Sequence, residues 1–155
     1  VVAVDLDHFK EVNDTYGHGG GDLVLAEIAR RIRTIIREVD FAFRRGGEEF
    51  VILLPETDAA GGAALARRVA SEIRRAPVRT RDHAISVTVS IGVAVYPEHG
   101  LTGPAVLDAA DIALYAAKAA GRDACRTADA LMNGMPMPLT GASRGTQPTQ
   151  RVPGG

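Results

Sequence analysis

The chain has 155 residues, of which 46% are hydrophobic and 24% are charged, as expected for one globular domain with a sizeable core. Its 18 basic and 19 acidic residues nearly balance, which gives no global charge argument for a nucleic-acid partner or for membrane contact. The single cysteine, Cys125, excludes an internal disulfide framework and fits a reducing compartment.

The two ends of the sequence predict a fragment of a longer protein. The chain starts at Val1 rather than Met, inside an apolar run, so we expect its native N-terminus to be missing. No apolar run approaches the roughly 20 residues that span a bilayer. We expect a cytoplasmic domain over residues 1–127, although the full-length protein could be membrane-anchored. Residues 128–155 hold all three methionines among Pro, Gly, Ser and Thr, which predicts a disordered tail or linker.

The first part of the chain predicts a buried strand, a loop and a long helix. Residues 1–4 are continuously apolar, as in a strand buried on both faces, and Asp5-Leu6-Asp7 follows them. The polar, glycine-rich stretch from His8 to Gly21 predicts a loop with a short helical turn. Asp22 is expected to open a helix that ends near Glu38.

The middle of the chain predicts a β-hairpin followed by a second helix. Strands 41–45 and 50–54 should be joined by Gly46-Gly47, because glycine accepts the positive φ angles of tight turns. A helix is expected from Asp58 to Ala76, followed by a polar loop from Pro77 to His83. Four aromatic residues are predicted to lie in the core: Phe41, Phe43, Phe50 and Tyr115.

The last part predicts a strand, a helix and a short final strand. Ile85 to Val95 alternates apolar and other residues strictly, which predicts a strand with one core-directed face. Gly103-Pro104 begins a helix to about Ala120, and residues 122–127 could add a strand. The order to Val95 is the α+β, ferredoxin-like βαββαβ pattern, here with an appended helix and strand.

Acidic residues follow two strands that are neighbours in this topology. Asp5 and Asp7 end the first strand, and Glu48 and Glu49 follow the hairpin turn, so we expect four carboxylates at one sheet edge. Like charges that close repel one another unless a cation neutralises them. The hard oxygen ligands favour Mg²⁺ or Mn²⁺, and a neighbouring glycine-rich loop favours phosphoryl transfer.

Several spaced motifs resemble those of GGDEF-domain diguanylate cyclases, in the GGEEF form. The resemblance covers roughly residues 1–126 and rests on five stretches, 5–10, 13–22, 45–50, 90–94 and 110–122, which read DLDHFK, NDTYGHGGGD, RGGEEF, SIGVA and ADIALYAAKAAGR. It implies a palm-like nucleotidyl cyclase fold. It also implies that two domains pair as a homodimer and condense two GTP into cyclic di-GMP, with release of two pyrophosphates. The family's usual opening segment would precede Val1.

The resemblance also implies roles for individual residues. Asp5 and Glu48 would ligate the metal with the Leu6 carbonyl, and Glu49 would assist as a further carboxylate. Two residues, Asn13 and Asp22, would bind the guanine edge. The phosphates would be held by the backbone around His8 and Phe9, and by Lys10, Lys118 and Arg122. Which group deprotonates the attacking hydroxyl is left open, between a carboxylate and a metal-bound water.

A second motif resembles the family's R-x-x-D inhibitory site. Arg37 and Asp40 precede the glycine pair at the family's spacing, and Arg68 on the next helix matches a further arginine of that site. The resemblance implies that this site binds cyclic di-GMP and inhibits the enzyme.

Two other functions compete with the cyclase reading. The chain could be an inactive GGDEF domain that senses cyclic di-GMP or GTP, but such receptors usually lack some of the active-site residues that are present here. A different nucleotidyl transferase on a similar sheet, such as an adenylyl cyclase or a polymerase palm, is disfavoured by the guanine-reading pair.

Overall fold

The computed structural model describes residues 1–129. Ten elements follow in chain order: β1 (Val2–Leu6), α1 (Phe9–Ile35), β2 (Phe41–Gly46), β3 (Glu49–Leu53), α2 (Ala59–Arg75), β4 (Val78–Arg79), β5 (Ala84–Ile85), β6 (Val89–Val93), α3 (Gly103–Ala119) and β7 (Cys125–Thr127). The predicted tail, residues 128–155, lies outside the described residues from position 130 onward.

The main sheet has five strands in the order β2-β3-β1-β6-β7. Strand β1 lies between β3 and β6 and is antiparallel to both, while β7 runs parallel to β6. The sequence β1-α1-β2-β3-α2-β6 is the predicted ferredoxin-like unit, and α3 with β7 is the predicted addition. The fold prediction is therefore confirmed.

Two helical layers cover the sheet. The alternate β1 residues Val2, Val4 and Leu6 belong to the main apolar cluster with α1 and α2. Ala3 points the other way, into a smaller cluster with Ala94 and three α3 residues, Val106, Ala110 and Leu114. The same two-sided burial applies to β6, whose five residues are all buried. The strand predicted from Ile85 to Val95 is therefore shorter, since Ile85 belongs to β5 and β6 spans Val89–Val93. The prediction of one core-directed face is wrong, because α3 covers the second face of β6.

The stretch predicted as a loop, from His8 to Gly21, is mostly helical and forms the first part of α1. The helix is broken at Gly17, where φ is 71° and ψ is 168°. Phe9 and Val12 point into the main cluster and give the N-terminal part of α1 its apolar face. The helix was not predicted from the sequence, because most other residues of this stretch are polar or glycine. The helix ends at Ile35, three residues before the predicted Glu38.

Smaller differences concern short strands and aromatic side chains. The predicted polar loop, residues 77–83, contains β4, which pairs with β5 as a separate two-stranded sheet. Of the predicted core aromatics only Phe50 is buried, whereas Phe41, Phe43 and Tyr115 are 61%, 46% and 74% exposed. Because β2 is an edge strand and exposed throughout, its phenylalanines have no covering layer among residues 1–129. Within that same range no helix is long and apolar enough to cross a membrane.

Candidate active site

The end of β1 and the tip of the β2–β3 hairpin meet at one edge of the sheet. Asp5 is paired with Glu49 across the β1–β3 ladder, and the Leu6 N–H donates to the Glu48 carbonyl over 3.3 Å. The hairpin turns through Gly47, which has φ of 48°, with a register shift between Arg44 and Gly46. The predicted neighbourhood of Asp5 and the two glutamates is therefore present.

Asp5 is a buried carboxylate with one strong partner. Its side chain is 6% exposed, and the Lys118 Nζ lies 2.7 Å from its Oδ2 atom. Burial raises the pKa of Asp5, Lys118 opposes that rise, and the nearby charges of Glu48 and Glu49 add to it. Removing the ionised Asp5 from water therefore costs free energy that Lys118 does not fully offset.

A salt-bridge network ties the hairpin to α3. Arg45 donates from Nε to Glu49 over 3.2 Å and from Nη1 to both carboxylate oxygens of Asp111 over 3.0 and 2.9 Å. Arg44 braces the turn by donating from Nε to the Gly47 carbonyl over 2.8 Å. The link between Arg45 and Asp111 could not be predicted from the sequence, because the two residues are 66 positions apart.

Asp7 does not join the other three carboxylates, so the prediction of a four-carboxylate cluster is wrong. It accepts hydrogen bonds from Thr88 Oγ1, Ser90 Oγ and the Asp123 N–H over 2.7, 2.6 and 3.0 Å. Asp7 follows the last residue of β1, so the alternation that places Asp5 on one face no longer sets its direction. The alternate hydroxyls Thr88 and Ser90 were the only signal of this role in the sequence.

Among residues 1–129, no three His, Cys, Asp or Glu side chains are close enough to form a metal cluster. The predicted set of metal ligands needs only two such side chains, the carboxylates of Asp5 and Glu48, together with the backbone carbonyl of Leu6. All are hard oxygen donors of the type that Mg²⁺ and Mn²⁺ take, together with water and substrate phosphate. Burial and, to a smaller extent, the negative charges of Glu48 and Glu49 raise the pKa of Asp5, so a cation beside this carboxylate would favour its ionised form. These residues therefore fit a divalent cation.

The junction between β1 and α1 carries the predicted phosphate-binding backbone. His8 adopts a left-handed conformation, with φ of 58°, immediately before the helix, and its Nδ1 lies 2.8 Å from Glu11 Oε1. The Phe9 side chain is buried and Lys10 is exposed. The first N–H groups of a helix have no partner within the helix, so this junction presents free donors and a cation.

The predicted guanine-reading residues lie on the two parts of the broken helix α1. The Asn13 side chain lies against Gly21, whose missing Cβ would collide with Asn13 Oδ1 and come within 3.1 Å of Phe9 Cζ. Asp22, the next residue, is exposed. The break at Gly17 therefore folds the chain so that Asn13 and Asp22 flank one position, which only glycine can fill without displacing Asn13.

The two basic residues predicted at the phosphates lie at the C-terminal end of α3. Lys118 contacts Asp5, as described above. Arg122 is exposed and lies in a turn where Gly121, Arg122 and Asp123 have φ angles of 110°, 65° and 45°. The Arg122 N–H donates to the Ala117 carbonyl over 3.2 Å and closes the end of α3.

The residues predicted to form the inhibitory site lie together in a second cluster, at the end of β2 away from the hairpin tip. Arg37 pairs with Asp40, whose side chain is 1% exposed, through an Nη2–Oδ1 distance of 2.8 Å. The Arg37 backbone N–H also donates to Asp40 over 2.8 Å, and these contacts lower the pKa of Asp40. Arg68 donates to the carbonyl of Ile35 over 3.4 Å. The structure thus brings Arg68 from α2 to the chain segment that precedes Arg37.

Comparison with known proteins supports these motifs. The family profile described as "Diguanylate cyclase, GGDEF domain" matches residues 1–124. Diguanylate cyclase DgcP of Pseudomonas aeruginosa is 44% identical over 79% of this chain and 18% of its own length. The response regulator PleD of Caulobacter vibrioides is 42% identical over 78% of this chain and 27% of its own. The chain thus spans less than a third of these relatives.

Solved structures give the same result. The GGDEF domain of TpbB (YfiN) from Pseudomonas aeruginosa superposes with a TM-score of 0.79 at 42% identity, covering 83% of this chain and 80% of that domain. The GGDEF domain of DgcB from Caulobacter crescentus, in complex with c-di-GMP, gives 0.75 at 35% identity, covering 81% and 75%. The chain belongs to the GGDEF domain family of diguanylate cyclases.

Proposed function

We propose that this chain is a metal-dependent diguanylate cyclase. Each of two paired copies presents one GTP, and the 3′-hydroxyl of one GTP attacks the α-phosphorus of the other. The bond to the leaving pyrophosphate breaks, and the hydroxyl proton passes to a general base. Two such steps yield one cyclic di-GMP and two pyrophosphates. The observation that carries the proposal is the register that pairs Asp5 with Glu49, beside Glu48, at the tip of the glycine hairpin.

Asp5, Glu48 and the Leu6 carbonyl would hold Mg²⁺ or Mn²⁺ together with the substrate phosphates. When bound, the cation would neutralise the charge that develops on the phosphates in the transition state. Lys118 would then share its charge between Asp5 and the phosphates, since its Nζ lies 2.7 Å from the Asp5 carboxylate. Glu49 would stay oriented by Arg45, which donates to it over 3.2 Å.

The substrate is assigned as GTP because of the polar groups beside Gly21. An amide and a carboxylate, from Asn13 and Asp22, can together satisfy the amide and amine edge of guanine. Adenine presents a different arrangement of donors and acceptors and would leave at least one of these groups unpaired. The β- and γ-phosphates would meet the helix N-terminus at His8 and Phe9, Lys10, and Arg122.

The same chain would bind its product at the second site. Arg37 is 57% exposed, and its bonds to Asp40, Pro55 and Thr57 use only Nε and Nη2 among residues 1–129, so Nη1 can still donate to a guanine or a phosphate. The DgcB neighbour was solved in complex with c-di-GMP, which shows that a domain of this fold and 35% identity can bind the product. We infer that cyclic di-GMP inhibits turnover through Arg37, Asp40 and Arg68.

Replacing Arg37 tests this second site. Arg37→Ala should raise the product concentration needed for half inhibition by about tenfold or more, because a hydrogen bond to a charged group contributes about 1.5 to 3 kcal/mol. The measurement is cyclase rate against added cyclic di-GMP, with melting temperature as a check on the buried Asp40. Arg33→Ala, an exposed arginine on α1, is the control. Unchanged inhibition in Arg37→Ala would remove Arg37 from the site.

The cyclase proposal is tested by identifying the product. The chain is fused to a dimerising coiled coil, so that two copies meet, and incubated with GTP and Mg²⁺ before mass spectrometry. Cyclic di-GMP with two equivalents of pyrophosphate is the expected result. Cyclic di-GMP binding without any turnover of GTP would instead support the alternative, a GGDEF domain that acts only as a regulatory receptor.

A further inference from the structure

Asp7 joins three parts of the chain that are far apart in sequence. Its carboxylate is buried and accepts hydrogen bonds from the hydroxyls of Thr88 and Ser90 and from the backbone N–H of Asp123. Thr88 immediately precedes β6, and Ser90 lies within it. Both hydroxyl bonds and the amide bond lie between 2.6 and 3.0 Å. A carboxylate has enough lone pairs to accept all three at once.

The turn that Asp7 holds is strained. Gly121, Arg122 and Asp123 all have positive φ, and the last two are not glycine. Such backbone costs of order 1 kcal/mol or more per residue and persists only where its surroundings fix it. Among residues 1–129, four contacts do so: the Asp7 bond to Asp123, the Gly121 N–H bond to the Lys118 carbonyl, the Arg122 bond to Ala117, and an Arg74–Asp123 ion pair of 3.1 Å. Only the first links the turn to the end of β1.

We propose that Asp7 is a positioning residue for substrate phosphate, which acts by holding the Gly121–Asp123 turn and therefore Arg122. The proposal rests on the proposed function, in which Arg122 meets the triphosphate. Asp7 follows β1 and immediately precedes His8, so its carboxylate ties the turn that carries Arg122 to the chain segment that leads into the phosphate-binding helix start. Asp7 thereby sets the spacing between the two halves of one phosphate subsite.

The hydrogen-bond pattern separates this role from that of a metal ligand. In Asp7→Asn the amide oxygen can take the place of Oδ2 and accept from Thr88 and Asp123. The new NH₂ group then faces the Ser90 hydroxyl, which can accept as well as donate. A positioning role therefore survives Asp7→Asn and fails in Asp7→Ala. A metal-ligand role needs the negative charge and fails in both variants.

The test measures binding of a GTP analogue with a methylene α–β bridge, which cannot be cyclised, and of GMP, by calorimetry with Mg²⁺. Asp7→Ala and Arg122→Ala should each weaken analogue binding about tenfold, equivalent to about 1.4 kcal/mol, and leave GMP binding unchanged. The double variant, with both Asp7→Ala and Arg122→Ala, should lose no more affinity for the analogue than either single variant, since both substitutions act through Arg122. Asp7→Asn and the control Ser90→Ala should stay within about threefold of the parent.

Amide hydrogen exchange gives a second readout that needs no substrate. The Asp123 N–H should be protected in the parent, in Asp7→Asn and in Ser90→Ala, and should exchange faster in Asp7→Ala. Additive losses in the double variant, or an Asp123 amide that is equally protected in Asp7→Ala, would overturn the proposal. Loss of analogue binding in Asp7→Asn would also overturn the positioning role of Asp7. If Asp7→Ala does not fold, the Asp7→Asn result alone tests that role. A parent chain that binds neither nucleotide would overturn the proposed function instead.

Discussion

Adding one methyl group at Gly21 tests the assignment of Asn13 as a guanine-reading residue. Gly21 is buried in α1, and a Cβ there would collide with Asn13 Oδ1 and lie 3.1 Å from Phe9 Cζ. The Asn13 amide is the far end of a side chain and can rotate away, whereas the Phe9 ring needs to move by only a few tenths of an ångström. Gly21→Ala should therefore displace Asn13 without unfolding the domain.

The expected magnitudes follow from these two contacts. Alanine gains about 1 kcal/mol over glycine inside a helix, which offsets the cost of shifting Phe9 and Asn13, so the free energy of unfolding should change by less than about 1 kcal/mol. Loss of one neutral hydrogen bond to guanine removes about 0.5 to 1.5 kcal/mol of binding. The dissociation constant for GTP should thus rise about two- to tenfold, while the weaker binding of ATP stays the same.

The assay compares calorimetric binding of non-cyclisable GTP and ATP analogues, with thermal melting of the same samples. Gly19→Ala is the matched control, because it lies in the same helical stretch and nothing is within 4 Å of its added Cβ. This control should bind as the parent does and melt higher. Unchanged GTP preference in Gly21→Ala would show that Asn13 does not read guanine, and equal losses for both nucleotides would show a general distortion.

Two further predictions concern stability. In Gly92→Ala the new Cβ would meet the backbone of α3 at Ala110 and Leu114, which cannot move aside. The free energy of unfolding, measured by urea titration, should therefore fall by at least about 3 kcal/mol. The control Gly103→Ala, which has open space around its added Cβ, should be as stable as the parent. Asp5→Asn should be more stable than the parent at about pH 7. Burial raises the pKa of Asp5, so keeping its carboxylate ionised in the folded protein lowers the free energy of unfolding of the parent. That gain should vanish below the unfolded-state pKa of about 3.9, and a constant difference across this range would contradict the burial argument.

The strands and helices that sequence reasoning located well are those with one dominant pattern. The apolar run of residues 1–4 predicts β1, and the recurrence of Leu65, Val69 and Ile73 at every fourth position predicts α2, each to within a residue or two of its observed limits. Asp58, expected at the start of α2, is its N-cap and accepts from the Gly61 N–H over 2.7 Å. Local pattern and capping chemistry agree in these elements, so no distant contact is needed to predict them.

The errors occurred where tertiary contacts decide the outcome. Glycine content between His8 and Gly21 predicted a loop, but burial of Phe9 and Val12 makes that stretch helical and leaves a single break at Gly17. Asp7 belongs to a short acidic motif, yet its direction depends on the hydroxyls of Thr88 and Ser90 and on a turn 116 residues away. The sequence therefore predicted that Asp5 lies beside the two hairpin glutamates, but not that Asp7 turns away from them.

The most direct test of the account is one substitution in the proposed cyclase. The coiled-coil fusion and its Glu48→Gln variant are incubated with GTP and Mg²⁺, cyclic di-GMP is quantified by mass spectrometry, and both proteins are melted. Glu98→Gln, at an exposed glutamate in the loop after β6, is the control. We predict cyclic di-GMP from the parent and the control, none from Glu48→Gln, and similar melting temperatures for all three. Near-parental turnover in Glu48→Gln would contradict the proposed metal site, and no cyclic di-GMP from the parent would contradict the proposed activity.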